Sequence, residues 1–410
     1  MNSAFTTKFV RLCNHLQDPR HVAKFQHVCG VKGTFPVKPT ESDGADSGTE
    51  PGTRPPPQVN GRQGDVTVGL DGSSAAAAGV ERDTTRAKPL RRNSLTGDVG
   101  QEFLIQNKFL FYLFTFGTEL GNEMFFIVFF PFLFWNIDAL VSRRLIVVWA
   151  WNLFVGQSTK DMVEVFYNSE YSMPSTHAMT GTAIPFCLFM LTYGRWQYSF
   201  LFGFCVALSW SILVCVSRIY MGMHSVLEVI TGFLYSLLIL AVFQPILGKI
   251  DSFYMTDPFA PLVIIVSHVS LGLVAFSLDS WSTSRGDTAQ ALGTGVGAAI
   301  GTHVNHQLGL LLDPPLASLP LTLPPVTAGL VALALLRFFT GVAVILVTRM
   351  VMKAVTIPFL CRLFGLPSDD VRQARQHMKV ELPYRYIVYS VVGFSCVCVV
   401  PLIFRILNLA

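Results

Sequence analysis

The sequence predicts an all-α protein, a polytopic membrane helix bundle of about nine transmembrane helices, and three observations carry that prediction. Hydrophobic residues make up 51% of the 410-residue chain and charged residues only 14%, against about 25% in an ordinary soluble domain. Lys and Arg cluster before Lys108 and again between Arg349 and Arg385, so the charge is segregated from the apolar sequence between them. The runs left over are long enough to cross a bilayer, which takes about 20 residues as helix.

Residues 1–108 read as an N-terminal tail. Over 4–17, Phe5, Phe9, Leu12, Cys13 and Leu16 recur at helical spacing with Lys8 and Arg11 between them, a pattern that suits a short helix on a membrane surface or one docked on a soluble face. From about Lys38 to Asp98 the composition turns to Gly, Ser, Thr, Pro and charge, too polar to support a core, and disorder is expected. Within it Ser94 follows the Arg91-Arg92 pair and is a candidate phosphorylation site, where roughly two negative charges would be added near lipid headgroups. No cleavable signal pattern is present, so insertion is expected to rely on the first span.

Apolar spans follow near 109–135, 144–159, 177–194, 198–217, 225–247, 259–279, 291–312, 326–348 and 386–407. The 144–159 run is short and 109–135 is long, so either is a candidate for tilt or re-entry. Glu119 and Glu123 stand four apart in the first span, on one helical face, and are expected to turn into the bundle interior toward a partner or water. The polar string Ser282 to Thr288 separates two spans, with Asp287 and Thr288 as candidate caps for the helix that follows.

A net charge of +4 is too small to suggest nucleic acid, and Arg91-Arg92 beside a span fits anionic membrane lipids instead. The eight cysteines form no CxxC pair or disulfide ladder and read as packing residues. No N-x-[ST] sequon marks a luminal loop. Nothing in the sequence bears on oligomeric state.

Two motifs carry chemistry. Pro174-Ser175-Thr176-His177 opens a span, with Ser175 at a helix start where exposed backbone N–H groups can hold an anion. Farther on, Arg218, His224 and Glu228 fall within eleven residues at another membrane boundary. His224 and Glu228 share a helical face, so a carboxylate on Nδ1 would leave Nε2 free as a nucleophile. His177 can supply a proton to a departing alkoxide. His268, His303 and His306 lie in apolar or Gly-rich spans and read as packing residues.

Lys160, Pro174 to His177 and Ser217-Arg218 through His224 resemble the three signatures of the type 2 phosphatidic-acid phosphatase superfamily. The stretches Tyr167–Thr182, Arg218–Ser225, Trp281–Ala289 and Lys379–Tyr386 look like the sphingosine-1-phosphate phosphatases within it. The resemblance implies a multi-pass endoplasmic-reticulum membrane enzyme that dephosphorylates sphingosine 1-phosphate and dihydrosphingosine 1-phosphate without a metal ion or other cofactor. It implies a phosphatase core bundle over 109–247 and additional transmembrane helices over 248–410. By the same carry-over His224 attacks phosphorus, His177 protonates the sphingoid oxygen, Glu228 orients His224, and Lys160, Ser175 and Arg218 bind the phosphate oxygens.

The chain departs from that pattern in two places. Glu228 stands where the family has aspartate, a tolerable change of one methylene. The Arg-Pro expected after Lys160 is replaced by Tyr167 and Asn168, and no Lys or Arg occurs between Asp161 and Arg195, so the second cation of the first signature is missing and activity is expected to be impaired. The loop also looks shortened, as in a splice form or an incorrect gene model. Two other classes compete with the enzyme: a catalytically silent lipid-binding paralogue, and a lipid transporter or scramblase, for which internal repeats are not evident. Taking 109–135 as one pass puts the motifs on the side of the N-terminal tail and of the basic 349–385 segment. The positive-inside tendency makes that side cytosolic, whereas the resemblance implies a luminal site.

Overall fold

The computed structural model describes residues 3–34, 102–166, 173–277, 284–311, 313–367 and 371–409. The polar stretch 38–98, Ser94, and Tyr167 with Asn168 lie outside the described residues. The chain divides into two compact units, residues 32–104 and the remainder. In the small unit the described residues belong to a two-stranded sheet, β1 (Val31–Thr34) with β2 (Glu102–Ile105). The rest of the described chain is mostly helical, apart from connecting loops and two isolated bridges that join Trp196 to Tyr193 and to Leu321.

Two N-terminal helices, α1 (Ser3–Gln17) and α2 (Pro19–Val28), precede the bundle. The bundle helices are α3 (Lys108–Leu120), α4 (Glu123–Asn136), α5 (Ala139–Phe166), α6 (Thr176–Thr192), α7 (Phe200–Tyr220), α8 (Val226–Thr256), α9 (Ala260–Ser277), α10 (Ser284–Gln307), α11 (Ala328–Phe364), the short α12 (Val371–Ala374), α13 (Met378–Phe394) and α14 (Val400–Ile406). A π-helical turn at Ser395–Val399 joins the last two. The helix starts are written in the sequence: Asn107, Asn122, Ser175, Ser199, Ser225 and Thr327 each accept a backbone N–H of the first turn through a side-chain oxygen.

Among the described residues five helices are long and apolar enough to cross a membrane, and a sixth if the bent pair α3–α4 counts as one. The first expected span is that pair, bent by 65°. Glu119 and Glu123 therefore do not share a helical face, as the sequence suggested: Gly121 ends α3, Asn122 caps α4, and Glu119 is exposed at the break, accepting from Asn122 Nδ2 at 3.2 Å. The short 144–159 run belongs to a 28-residue helix. It looked short because Arg143 and Arg144 interrupt the apolar pattern, but Asp251 at the far end of α8 pairs with both, at 2.7 and 2.9 Å, and Asp313 bonds Arg143 as well. Likewise α11 runs 37 residues, well past the expected end at 348.

Direction in the bundle follows from the contacts. Phe114 and Gly117 of α3 meet Tyr220 and Leu213 of α7, and Ala150 and Phe154 of α5 meet Gly295 and Leu292 of α10, so both pairs are antiparallel. The tightest pair is α10 with α13. Gly293, Gly297 and Gly301 line one face of α10, and a Cβ at Gly297 would collide with the Ser390 carbonyl, so only glycine allows the backbones this close. This explains why α10 is buried yet only weakly apolar: its small residues face other helices rather than lipid. The main core gathers Phe126, Phe130, Leu145, Trp149, Ile184, Val388 and Val397 from α4, α5, α6, α13 and the π turn.

Candidate active site

The site forms at the end of the bundle where α5 and α7 finish and α6 and α8 begin. Short turns deliver each functional side chain there. Between α7 and α8 the chain reverses over Met221 to Ser225, with Gly222 in the left-handed region at φ 67°. Gln26 of α2 packs on this turn and donates from Nε2 to the Tyr220 carbonyl at 2.9 Å. Ser225 then caps α8, accepting from the Glu228 N–H at 3.4 Å, and so brings Glu228 back toward the turn. The Ser175 N–H donates to the Glu228 carbonyl at 3.3 Å and ties the start of α6 to the same place.

His224 Nδ1 lies 2.6 Å from Glu228 Oε2. The carboxylate is 1% exposed and the imidazole 9%, so this contact is shielded from water and sets the ring's orientation. With Nδ1 engaged, Nε2 is left for substrate. Burial pulls the His224 pKa below its ordinary value; Glu228 opposes that shift, while the positive charges of Arg218 and Lys160 add to it. The imidazole is therefore neutral at neutral pH.

Arg218, in the last turn of α7, is 2% exposed. Its Nη2 touches the Met223 sulfur at 3.1 Å, and its Nε is buried with no hydrogen-bond partner. Among the described residues no carboxylate pairs with it. A buried guanidinium in that condition is costly unless an anion completes it. Lys160 reaches across from α5 and donates to Thr176 Oγ1 at 3.2 Å, which brings the first motif onto the second. His177, half-buried in the first turn of α6, lies within Coulombic reach of Arg218, His224 and Lys160.

Five of the six residues picked from sequence thus converge with their side chains at one place. Ser175 converges differently: it is fully buried, and its hydroxyl caps α6 by accepting from the Ala178 N–H at 3.4 Å. Its contribution is to start the helix whose first N–H groups point outward. Thr176 and Met223 are contacts that sequence reasoning missed, although both sit inside the motifs. His268 and His303 pack as expected, each bonding a backbone carbonyl at 2.9 Å, whereas His306, also expected to pack, is exposed at the end of α10. Asp287 and Thr288 are not caps, because α10 begins earlier, at Ser284. Asp287 instead pairs with Arg385 of α13 at 2.9 Å.

No solved structure matches the chain. A family model described as the PAP2 superfamily matches residues 151–250, the segment that holds every residue of the site. The chain is 49% identical to sphingosine-1-phosphate phosphatase 1 of Rattus norvegicus, over 97% of this chain and 98% of that protein. It is 34% identical to sphingosine-1-phosphate phosphatase 2 of Homo sapiens, over 97% and 99% respectively. A probable sphingosine-1-phosphate phosphatase of Dictyostelium discoideum is 25% identical over half of the chain. With a histidine–carboxylate pair beside a buried arginine, and whole-length likeness at this level, the chain belongs to the sphingosine-1-phosphate phosphatase family of the PAP2 superfamily.

Proposed function

We propose that the chain removes the phosphate of sphingosine 1-phosphate and dihydrosphingosine 1-phosphate through a phosphohistidine, as a metal-independent phosphatase of the endoplasmic-reticulum membrane. The observation that carries this reading is the neutral, Glu228-held His224 next to Arg218, whose buried Nε lacks a partner that a phosphate oxygen would supply. Nε2 of His224 attacks phosphorus, the bond from phosphorus to the sphingoid oxygen breaks, and its electron pair leaves with that oxygen, which takes a proton from His177. Lys160, Arg218 and the first-turn N–H groups behind Ser175 hold the equatorial oxygens as charge redistributes over them. Water then attacks the phosphohistidine, gives its proton to His177, and releases inorganic phosphate with His224 restored.

The helix order supports nine crossings, counting α3–α4 and α13–α14 as one each, with residues 1–108 as a tail, 109–247 as the catalytic core and 248–410 as additional helices. Turnover is reduced, because the Arg-Pro of the first signature is absent and one preorganised charge-stabilising group typically contributes about 10²- to 10³-fold. The test is phosphate release from sphingosine 1-phosphate by three chains: this one, one with an Arg-Pro segment inserted after Lys160, and His224→Ala. We expect weak release, restored release and none. Equal rates for the first two would remove the impairment, and release surviving in the third would remove the phosphohistidine route. Silence in the first two with lipid still bound would favour the lipid-binding reading.

A further inference from the structure

The substrate of the proposed reaction is a zwitterion: it carries an ammonium on the carbon next to the one that bears the phosphate ester. A site of cations alone binds the phosphate but disfavours the ammonium beside it. Glu228 is 1% exposed and committed to His224, so it cannot meet that charge. Glu381 of α13 is also spent, bonded by Arg375 at 2.8 Å through two nitrogens and by Arg385 at 2.7 Å.

Asp287 differs from both. Its side chain is 37% exposed, and Arg385 holds it through Oδ1 only, at 2.9 Å. Arg385 is itself anchored by Glu381, and Gly286 leaves room for the guanidinium to lie against α10. The carboxylate is therefore fixed in position while one edge faces outward.

Helix register places it beside the phosphate site. Ala150 of α5 faces Gly295 of α10, and Phe154 packs with Leu292 one turn on. Carried a further turn, the antiparallel register sets Ser158 level with Asp287 and Thr288, about 3 Å along the axis from Lys160. Asp287 accordingly feels the Lys160 charge, as do His177 and His224. At this same level two side chains of α5 that are more than nine-tenths buried present polar atoms with no hydrogen-bond partner, Gln157 Oε1 and Ser158 Oγ. At this end of α5 these two atoms have room for a partner that a bound polar group would supply.

We infer that Asp287, positioned by Arg385 and Glu381, binds the ammonium of the sphingoid-base phosphate, with the unpartnered polar atoms of Gln157 and Ser158 at the same level of the bundle. This rests on the proposed function, and it would make the amine, rather than the phosphate, the group by which the site distinguishes sphingoid phosphates from other lipid phosphates.

The test is equilibrium binding to the full chain carrying His224→Ala, so that bound lipid is not consumed, in detergent micelles. Sphingosine 1-phosphate is compared with a monoalkyl phosphate of equal chain length that lacks the amine. Adding Asp287→Asn should weaken sphingosine 1-phosphate tenfold or more and leave the alkyl phosphate within twofold, while Asp287→Glu keeps most of the difference. Equal losses for the two lipids, showing that Asp287 only braces Arg385, would overturn the assignment. So would unchanged binding of sphingosine 1-phosphate, or a parent chain that binds neither lipid. Because binding is read without turnover, failure of the phosphatase reading is distinct: the native chain and its Arg-Pro form would then release no phosphate from either lipid, whatever the binding shows.

Discussion

At the scale of single residues, the proposed chemistry turns on the 2.6 Å contact between His224 and Glu228. Glu228→Asp keeps a carboxylate and is expected to retain most of the turnover, whereas Glu228→Gln keeps the shape and loses the charge, lowering kcat about 10- to 100-fold. The pH profile separates charge from shape. Burial holds the His224 pKa below its ordinary value, so the acid limb of kcat/KM falls below that of free imidazole; Glu228 raises that pKa, so the Gln variant should move the limb to still lower pH. A limb that moves upward, measured with sphingosine 1-phosphate between acid and neutral pH, would show that the carboxylate does not act on His224 in this way. The histidine, arginine and glutamate were legible in sequence because their spacing across one turn and one helix start leaves little freedom. The hydroxyl of Ser175 was not, since a helix cap and a phosphate ligand look the same in a motif, and only the Ala178 N–H distance assigns it.

At the scale of elements, close backbone packing and buried ion pairs hold the site's frame. Gly297→Ala inserts a Cβ against the Ser390 carbonyl and should separate α10 from α13, costing about 1–3 kcal/mol. A lowered Tm and an aggregated fraction on size exclusion are the expected readouts, and a variant as stable as the parent would show that the glycine face is not needed. At the opposite end, Asp251→Ala strips Arg143 and Arg144 of a shared partner, and leaving buried charge uncompensated costs about 3–5 kcal/mol. Detergent-solubilised thermal unfolding should place this variant well below Arg144→Ala, whose charge is more exposed. Element boundaries were the least legible part. The length of α5 depends on whether charges inside an apolar run find partners, and those partners lie more than a hundred residues away.

For the whole molecule, the site shares an end of the bundle with α2, which packs on the turn that carries His224. On the proposed nine-crossing reading, the 222 turn and the turn at Gly194 fall on opposite faces of the membrane. In sealed microsomes, of an epitope inserted after Tyr193 and one placed before α1, one should be protected from added protease and the other cleaved. Matching protection would sink the nine-crossing reading, and whether the α1 tag is protected also decides between the cytosolic orientation of the positive-inside tendency and the luminal one implied by the family.

The sequence by itself determined the helical membrane class and the pairing of His224 with Glu228, because apolar length and i, i+4 spacing are local properties of the chain. Tertiary structure decided what depends on distant partners. It brought Lys160 to Thr176, left the buried Nε of Arg218 without a partner, bent the first span at Gly121 and set Asp287 against Arg385 rather than at a helix cap. The two motifs identified the reaction, and the packing of α5, α10 and α13 around them supplied the features that bear on which phosphate the site accepts.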